Sequence, residues 1–311
     1  MDLVEFNIDF MGKRKIAYGV SGILLVGSLI SFVFSGLNLG LDYTGGNLIE
    51  IGFDRSTSPD RVRLILEENG FNEAVVQNFG SQTDILVRVP PGGGGLEQDS
   101  QVDLGDKVVA VLNESLGGVT LRRSEFVGPA VGDELAENGS MGLLVALGAV
   151  MIYIMFRFTG KFAVGAVSAL AHDVVIVIGA FSIFGWTANL PELAALLAVI
   201  GYSLNDTIVV SDRIRENFRT VRRGSPEQII NQSLNQTLGR TLVTSLTTLL
   251  VLFALLFAGG EQVSGFAIAL AFGVVVGTYS SVYVAASVLL LMQISKQDLA
   301  LPDKEIKEGS L

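Results

Sequence analysis

The informative ionisable residues of this sequence are four that lie deep within apolar stretches or at the start of one, where a lipid bilayer excludes charge unless the residue has a function or a partner. His172 and Asp173 fall in one apolar run, Asp206 falls in the next, and Arg240 begins the run after that. A buried carboxylate and a guanidinium can form a pair that protonation of the carboxylate breaks, or a static salt bridge. These residue types therefore predict either proton coupling or structural pairing inside a membrane.

The depth of His172 follows from the helical rise of about 1.5 Å per residue. It lies 11 residues after Lys161, or about 16 Å from that end of the run, close to the middle of a bilayer. As the only histidine in the chain, it can be a proton relay or a hydrogen-bonding strut between helices. Asp173 is expected to point about 100° away from it and to contact a different neighbour.

Asp206 and Arg240 are expected to meet in one half of the membrane. Asp206 and its neighbour Asn205 lie in the segment GYSLNDTIVVSDRIREN, and Asp206 precedes Arg213 by seven residues, or about 10 Å. Because the next apolar run returns in the opposite direction, Arg240 near its start comes to a similar depth. Arg240 belongs to one polar stripe with three- and four-residue spacing, together with Thr237, Thr241, Thr244, Ser245 and Thr248.

The elements that must position these residues are transmembrane helices. With a mean hydropathy of +0.53 and 50% hydrophobic residues, the chain of 311 residues is too apolar for a soluble domain. The first apolar run is expected to stay as an anchor, because it is too long and too acidic at its start for a cleaved signal peptide. Six runs approach the ~20 residues that cross a hydrocarbon core, and they cover 16–37, 140–158, 162–186, 190–211, 241–258 and 264–292.

The distribution of basic residues predicts the orientation of these helices. Lys and Arg cluster before the first run, between the second and third runs, and after the fourth run. These segments are expected to face the cytoplasm. Both termini are then cytoplasmic, and residues 38–138 lie on the opposite side.

Residues 38–138 form an acidic segment with 17 Asp and Glu against 7 Lys and Arg, and this acidity argues against nucleic acid as a partner. Its strand-like and helix-like stretches follow the order β-α-β-β-α-β of the ferredoxin-like motif. The glycines at 92–95 are interpreted as a flexible surface loop, since the Lys-Ser or Lys-Thr of a phosphate-binding loop does not follow them. No ATP, other cofactor or metal is expected, and the absence of cysteine excludes disulfides and thiolate metal sites.

Two sets of small residues have expected mechanical roles. Gly45 and Gly46, which follow the first run, are expected to act as a hinge because glycine permits unusual backbone angles. Small residues at every fourth position of the last run form a seam, which lets another helix pack closely or slide. The seam contains Gly265, Ala269, Gly273, Gly277 and Ser281.

Five segments carry a resemblance to a known family that covers nearly the whole chain. They are NLGLDYTGG at 38–46, FVGPAVGDEL at 126–135, AHD at 171–173, GYSLNDTIVVSDRIREN at 201–217 and GTYSSVYVAA at 277–286. Together they resemble the SecF family. The resemblance implies an α-helical membrane protein with six transmembrane helices and one α+β ferredoxin-like domain after the first helix, in the bacterial inner membrane.

The same resemblance implies an accessory, non-enzymatic role in protein export. The implied partners are SecD, the SecYEG channel, YajC, emerging unfolded secretory proteins and protons, whose motive force would promote late steps of translocation. Asp206 and Arg240 match the family's important aspartate and arginine, whereas Gly239 replaces a serine, so no hydrogen bond is expected there. The implied division is a cytoplasmic N-terminus with the first helix, a periplasmic domain, a five-helix remainder and a cytoplasmic tail, over residues 1–37, 38–138, 139–294 and 295–311.

Two other interpretations have different consequences. A proton-driven small-molecule exporter of the related resistance-nodulation-division type also carries an external loop after its first span. Such pumps have about twice as many spans and much larger external domains, so a drug-binding funnel is not expected here. A structural scaffold without proton chemistry is the other alternative, and the ionisable residues in the apolar runs argue against it.

Overall fold

The computed structural model of the chain describes residues 7–91, 104–158, 160–221, 223–295 and 298. Within them, six helices are long and apolar enough to cross a membrane, as the sequence predicted. The helices are α1 (Arg14–Ser35), α2 (Leu41–Thr44), α3 (Pro59–Glu68), α4 (Leu104–Leu116), α5 (Pro129–Arg157), α6 (Gly160–Phe184), α7 (Leu190–Thr220), α8 (Pro226–Ala258), α9 (Glu261–Ser280) and α10 (Ala286–Leu291). The strands are β1 (Asn38–Leu39), β2 (Gly46–Phe53), β3 (Val75–Phe79), β4 (Ser81–Val89), β5 (Val119–Val127) and β6 (Thr187–Ala188).

Helices α7 and α8 are longer than the apolar runs that predicted them. Helix α7 continues to Thr220 and α8 begins at Pro226, because polar turns that hydropathy does not detect extend both helices. A capping box begins α8: the Gln228 backbone N–H donates to the Ser225 hydroxyl at 3.3 Å, and the Ser225 N–H donates to the Gln228 side chain at 3.0 Å. These two helices therefore form an extended hairpin at one end of the bundle.

The last span is not a continuous α-helix. A π-helical segment, Ser281–Ala285, lies between α9 and α10. Such segments add a residue to one turn, and they occur frequently at functional sites. This interruption was not predicted, because the small-residue seam keeps its four-residue spacing through it.

An α+β unit follows the first span and has the predicted order β-α-β-β-α-β. Strands β2 to β5 form one antiparallel sheet with the spatial order β3-β4-β2-β5. Alternate residues of the central strands, such as Ile49 and Val87, are fully buried under α3 and α4, which contribute Leu66 and Leu112. The glycines at 92–95 lie outside the described residues, so their interpretation as a loop stays a prediction.

A short strap connects the α+β unit to the membrane helices. Strand β1 pairs in parallel with β6, and the Gly40 N–H donates to the Ala188 carbonyl at 2.8 Å. The Asp42 carboxylate accepts from the Leu190 N–H at 2.9 Å, and the Arg88 guanidinium donates to the Leu39 carbonyl at 2.5 Å. The unit is therefore anchored at the loop between α6 and α7 as well as through the chain.

The membrane bundle has three central and three peripheral spans. Roughly half of the most apolar stretch of α6, of α7 and of the last span is buried, whereas α1, α5 and α8 expose most of theirs. The exposed side chains on these outer helices are large and apolar, including Phe34, Phe156 and Phe257. Lipid or further helices can cover such faces. His172 and Asp173 on α6 and Asp206 on α7 are buried in the interior of the bundle.

Candidate functional site

Asp173 joins three membrane helices through its carboxylate. The residue is fully buried on α6, and its Oδ2 accepts hydrogen bonds from Ser203 on α7 at 2.5 Å and from Ser280 on α9 at 2.6 Å. Its Oδ1 lies 2.9 Å from Nδ1 of His172. No Lys or Arg of the described residues forms a salt bridge with Asp173, so these groups are its polar environment.

His172 extends this network toward α1. Its Nε2 lies 3.1 Å from the Ser21 hydroxyl, which lies 3.0 Å from the Tyr279 hydroxyl. Tyr279 donates to the Ala17 carbonyl at 2.9 Å, and its ring stacks on the imidazole with 6.0 Å between ring centres. A continuous chain of polar groups thus runs from Asp173 through the imidazole to the first span.

His172 and Asp173 were expected to contact different neighbours. This expectation is wrong for Oδ1 of Asp173, which contacts His172 itself. Adjacent residues do leave an α-helix about 100° apart. The imidazole nevertheless reaches Oδ1 of Asp173, while Oδ2 turns toward the serines of α7 and α9. Ser203 and Ser280 were missed by sequence reasoning, although both are polar residues within apolar runs and could have been tested as partners.

Asp206 lies on α7, one turn after Ser203, and it is buried. Its Oδ2 has no hydrogen-bond partner among the described residues. Arg240 lies within electrostatic range of the carboxylate but forms no salt bridge of 4 Å or less with it. The guanidinium is exposed on the surface of α8. The predicted direct contact is therefore absent in this conformation of the single chain.

Two further buried hydroxyls, one next to Asp206 in the sequence and one next to Arg240, lack a partner among the described residues. Thr207 follows Asp206 on α7, and Thr241 follows Arg240 on α8, and neither side-chain oxygen has a hydrogen-bond partner among the residues that the structure describes. Buried polar groups without protein partners are the usual binding sites of internal water. Asn205, predicted to belong to this group, is instead exposed on α7.

The small residues of the last span lie against α7. A Cβ on Gly265 would meet the Glu192 side chain, one on Gly273 would meet Val199, and one on Gly277 would lie 3.0 Å from Cβ of Ser203. Ala269 and Ser281, the other two members of the seam, are fully buried. The absence of side chains at these glycines thus lets α9 pack closely against α7.

Gly45 and Gly46 have positive φ angles of 65° and 108°, which disfavour other residues. A Cβ on Gly45 would lie 3.1 Å from the Pro129 Cα, and one on Gly46 would meet the Val89 carbonyl. Both glycines therefore occupy tight positions between the strap, the sheet and the start of α5. Their action as a hinge stays a prediction.

A cavity of about 870 Å³ separates the uncovered face of the sheet from the membrane helices. The sheet contributes Leu48, Leu86 and Arg88, and the bundle contributes Trp186 and Glu192. Its lining combines apolar and charged side chains of both signs. The sequence predicted the sheet but not this arrangement, because the strap that tilts the sheet over the bundle consists of two-residue strands.

Ion pairs lie at the opposite end of the bundle. They include basic residues that, in the sequence, indicated only the orientation of the helices. Asp212 on α7 contacts Arg157 of α5, and Lys161 donates to Asp298 at 2.8 Å. The hydrogen bond from Lys161, followed by those from Ser295, lowers the pKa of Asp298 to about 2. These contacts connect α5 to α7, and α6 to the segment after α10.

Comparison with known proteins identifies sequence relatives of nearly full length. Residues 107–295 match the family described as protein export membrane protein SecD/SecF, C-terminal, and residues 30–57 match the SecD/SecF GG motif. Protein translocase subunit SecF of Vibrio alginolyticus is 46% identical over 307 residues, which cover 98% of this chain and 96% of that protein. The SecF subunit of Escherichia coli O157:H7 is 47% identical over 303 residues, covering 97% and 93%.

Two solved structures are similar in fold. SecDF of Thermus thermophilus, a translocon-associated membrane protein, gives a TM-score of 0.83 at 39% identity, over 94% of this chain and 40% of that chain. SecDF in a super-membrane-facing form gives 0.68 with the same identity and coverage. This chain thus corresponds to about two fifths of the longer SecDF polypeptide.

Together, the fold and the site define a polytopic membrane protein with a ferredoxin-like domain after its first span and ionisable groups deep in its bundle. Identity above 45% over nearly the full length of curated relatives narrows this class. The chain belongs to the SecF family of protein translocase subunits.

Proposed function

We propose that this chain is an accessory subunit of the Sec protein-export machinery, which acts with SecD and uses the proton motive force to promote late steps of translocation. Its membership in the SecF family supports the export role. The proton-driven part rests on one observation. Asp206 is a buried carboxylate in the membrane whose Oδ2 has no hydrogen-bond partner among the described residues.

A buried carboxylate of this kind changes its interactions when it binds a proton. Ionised, it attracts the guanidinium of Arg240, and burial of the charge is costly unless that attraction is made. Protonated, it is neutral and can separate from the arginine. The structure has Arg240 nearby but not in contact, which suits the separated half of such a cycle. Water at the unpartnered Thr207 and Thr241 hydroxyls would supply the path for the proton.

The available driving force is sufficient for a conformational change. One elementary charge that crosses 100 mV carries about 2.3 kcal/mol. That free energy biases a two-state equilibrium about fiftyfold. No nucleotide is required, and no enzymatic activity is assigned to the chain.

The polar groups exposed in the membrane region indicate that the helices of a partner protein pack against this bundle. Asn205 and Arg240 lie on the outer surface of α7 and α8, where lipid would leave an amide and a guanidinium without hydrogen bonds. Helices of SecD would cover both groups and complete the surroundings of Asp206. The solved SecDF polypeptide, of which this chain matches two fifths, agrees with this arrangement.

Outside the membrane, we assign residues 38–138 to the periplasm, the termini to the cytoplasm and the bundle to the inner membrane. The cavity beneath the sheet offers apolar and charged side chains to an emerging unfolded chain from SecYEG. Movement of the α+β unit about Gly45 and Gly46 would open and close it. The two SecDF structures differ in their similarity to this chain at equal identity, which supports more than one conformation in the family.

The test replaces Asp206 with asparagine, which has nearly the same shape but cannot be ionised. Asp206→Asn is expected to assemble with SecD and to abolish the stimulation of translocation by a proton gradient in inverted membrane vesicles. Asp54→Asn in the α+β unit is the control and is expected to keep that stimulation. Wild-type, gradient-sensitive translocation by Asp206→Asn at matched protein level would reduce the site to a structural one.

A further inference from the structure

Helices α7 and α8 are joined by side-chain hydrogen bonds at two levels. Midway along both helices, the Tyr202 hydroxyl donates to the Ser245 hydroxyl at 3.1 Å. Near the turn that connects the helices, the Asn217 amide donates to the Ser233 hydroxyl and to Oε1 of Gln236, both at 2.8 Å. Both hydrogens of the Asn217 amide are therefore used to bind α8.

These two levels show which face of α7 points toward α8. Because successive residues of an α-helix are about 100° apart, Tyr202 and Asn217 lie about 60° apart around α7. Asp206 falls inside this narrow arc, four residues after Tyr202 and 11 before Asn217. Asp206 is therefore on the α8 side of its helix, about 16 Å along the axis from Asn217. The electrostatic influence of Arg240, on α8, agrees with this direction.

Helix α8 presents a row of buried hydroxyls to the same interface. They recur at every fourth residue, as Ser233, Thr237, Thr241 and Ser245. The two serines bind α7, so the threonines between them share that side of α8. Thr237 donates to carbonyls of its own helix, whereas the Thr241 hydroxyl has no partner among the residues that the structure describes. Thr241 lies about 12 Å from Ser233 along the axis, at a level similar to that of Asp206. The interface thus buries two polar groups, Oδ2 of Asp206 and the Thr241 hydroxyl, that are suited to bind internal water.

We propose that Asn217 closes the cytoplasmic end of a polar passage that begins at Asp206. Asn217 is buried, whereas Gln236, which it binds, and Thr220, one turn further on, are exposed. The amide therefore lies at the boundary between the interior of the bundle and solvent. The same stretches of α7 and α8 contribute Val210 and other apolar residues to one core, which excludes water while the helices are packed together. That the passage carries protons rests on the proposed function, but its closure by Asn217 does not.

The other side of α8 is held by the segment that precedes α1. The Asn235 side chain accepts from the Ile8 N–H at 2.8 Å and donates to the Ile8 carbonyl at 2.9 Å. One turn earlier, Asn231 accepts from the Met11 N–H at 2.9 Å. Helix α8 is thereby bound from both sides at this level. Release of the Asn217 bonds therefore separates α7 from α8 without detaching α8 from the bundle.

The absence of cysteine from the chain permits a direct test. In inverted inner-membrane vesicles that contain the complex with SecD, a charged, membrane-impermeant thiol reagent reports whether water reaches Thr241→Cys of this chain from the cytoplasmic side. Labelling should be slow when Asn217 is present and about tenfold faster after Asn217→Ala, because this variant loses both hydrogen bonds to α8. Gln232→Ala, at an exposed position of the same stretch of α8, is the matched control and should not change the rate. Equal rates with and without Asn217, or rapid labelling while Asn217 is present, would overturn the proposal.

A second cysteine position distinguishes opening of this interface from general loosening of the bundle. Ser287→Cys replaces a fully buried residue of α10 and should stay protected in the Asn217→Ala background. Parallel acceleration of labelling at both cysteines would mean that Asn217 only stabilises the bundle, and would contradict closure of a passage. Neither measurement depends on ionisation of Asp206. Wild-type translocation by Asp206→Asn would therefore refute the proposed proton site, while the labelling rates decide the role of Asn217 separately.

Discussion

The packing of α9 against α7 can be tested by adding one methyl group to Gly273. Its Cβ would lie 2.7 Å from Cγ1 of Val199 and would overlap the second methyl group as well. Val199 is buried and β-branched, so its side chain has almost no alternative rotamer in a helix. Overpacking of this kind costs about 1–3 kcal/mol.

A matched control removes the effect of helix propensity. Gly148 lies within α5, and a Cβ added to it would have no neighbouring heavy atom within 4 Å. Gly148→Ala therefore gains the same ~1 kcal/mol of propensity as Gly273→Ala without a clash. The difference between the two variants isolates the packing cost.

The assay is reversible unfolding in mixed detergent micelles, followed by helical circular dichroism. Gly273→Ala is expected to be less stable than Gly148→Ala by about 1–3 kcal/mol. In a double-mutant cycle, Gly273→Ala should cost less in the Val199→Ala background than in the wild type, since that background lacks the colliding methyl groups. Equal stability of the two glycine variants, or an equal cost of Gly273→Ala in both backgrounds, would refute close packing at this seam.

Three other predictions concern topology, motion and the end of the bundle. A reporter inserted at 92–98 should be extracytoplasmic and one at 220–224 cytoplasmic, and finding both on one side would refute the six-span orientation. Because the chain has no cysteine, Gln77→Cys and Val263→Cys can be joined across the cavity by a reducible cross-linker. This should block secretion until reduction, and normal secretion by the locked protein would exclude the motion. The pKa of Asp298 is lowered to about 2, so the wild type should be more stable than Asp298→Asn above about pH 4, and this difference should vanish as the pH falls through about 2. Thermal unfolding of both proteins across this pH range measures the difference, and a difference that does not depend on pH would contradict the prediction.

Elements with strong periodicity were predicted correctly from the sequence. The six spans and the β-α-β-β-α-β order depend on hydropathy and alternation, which are local properties. The polar ends of α7 and α8, the two-residue strands of the strap and the π-helical segment have no such signal. They depend on contacts between distant parts of the chain, such as β1 with β6.

The burial of the candidate site's residues was predicted from the sequence, but the contacts between them were not. Depth arguments located His172, Asp173 and Asp206 in the buried part of the bundle. The azimuth of a side chain on its helix decides its contacts, and spacing does not fix that angle. Asn205 and Arg240 consequently lie on the exposed surface of the bundle. Asp173 contacts His172 directly, which the spacing of the two residues did not predict.

Proton flux through Asp206 is the most direct test of the proposed mechanism. Vesicles that contain this chain with SecD and SecYEG, and a pH-sensitive dye in the lumen, report proton movement while a secretory protein is translocated. The wild type should show a flux that accompanies translocation, and Asp206→Asn should lose it while the complex stays assembled. A flux of wild-type size with Asp206→Asn would contradict the assignment of Asp206 as the group that carries the proton.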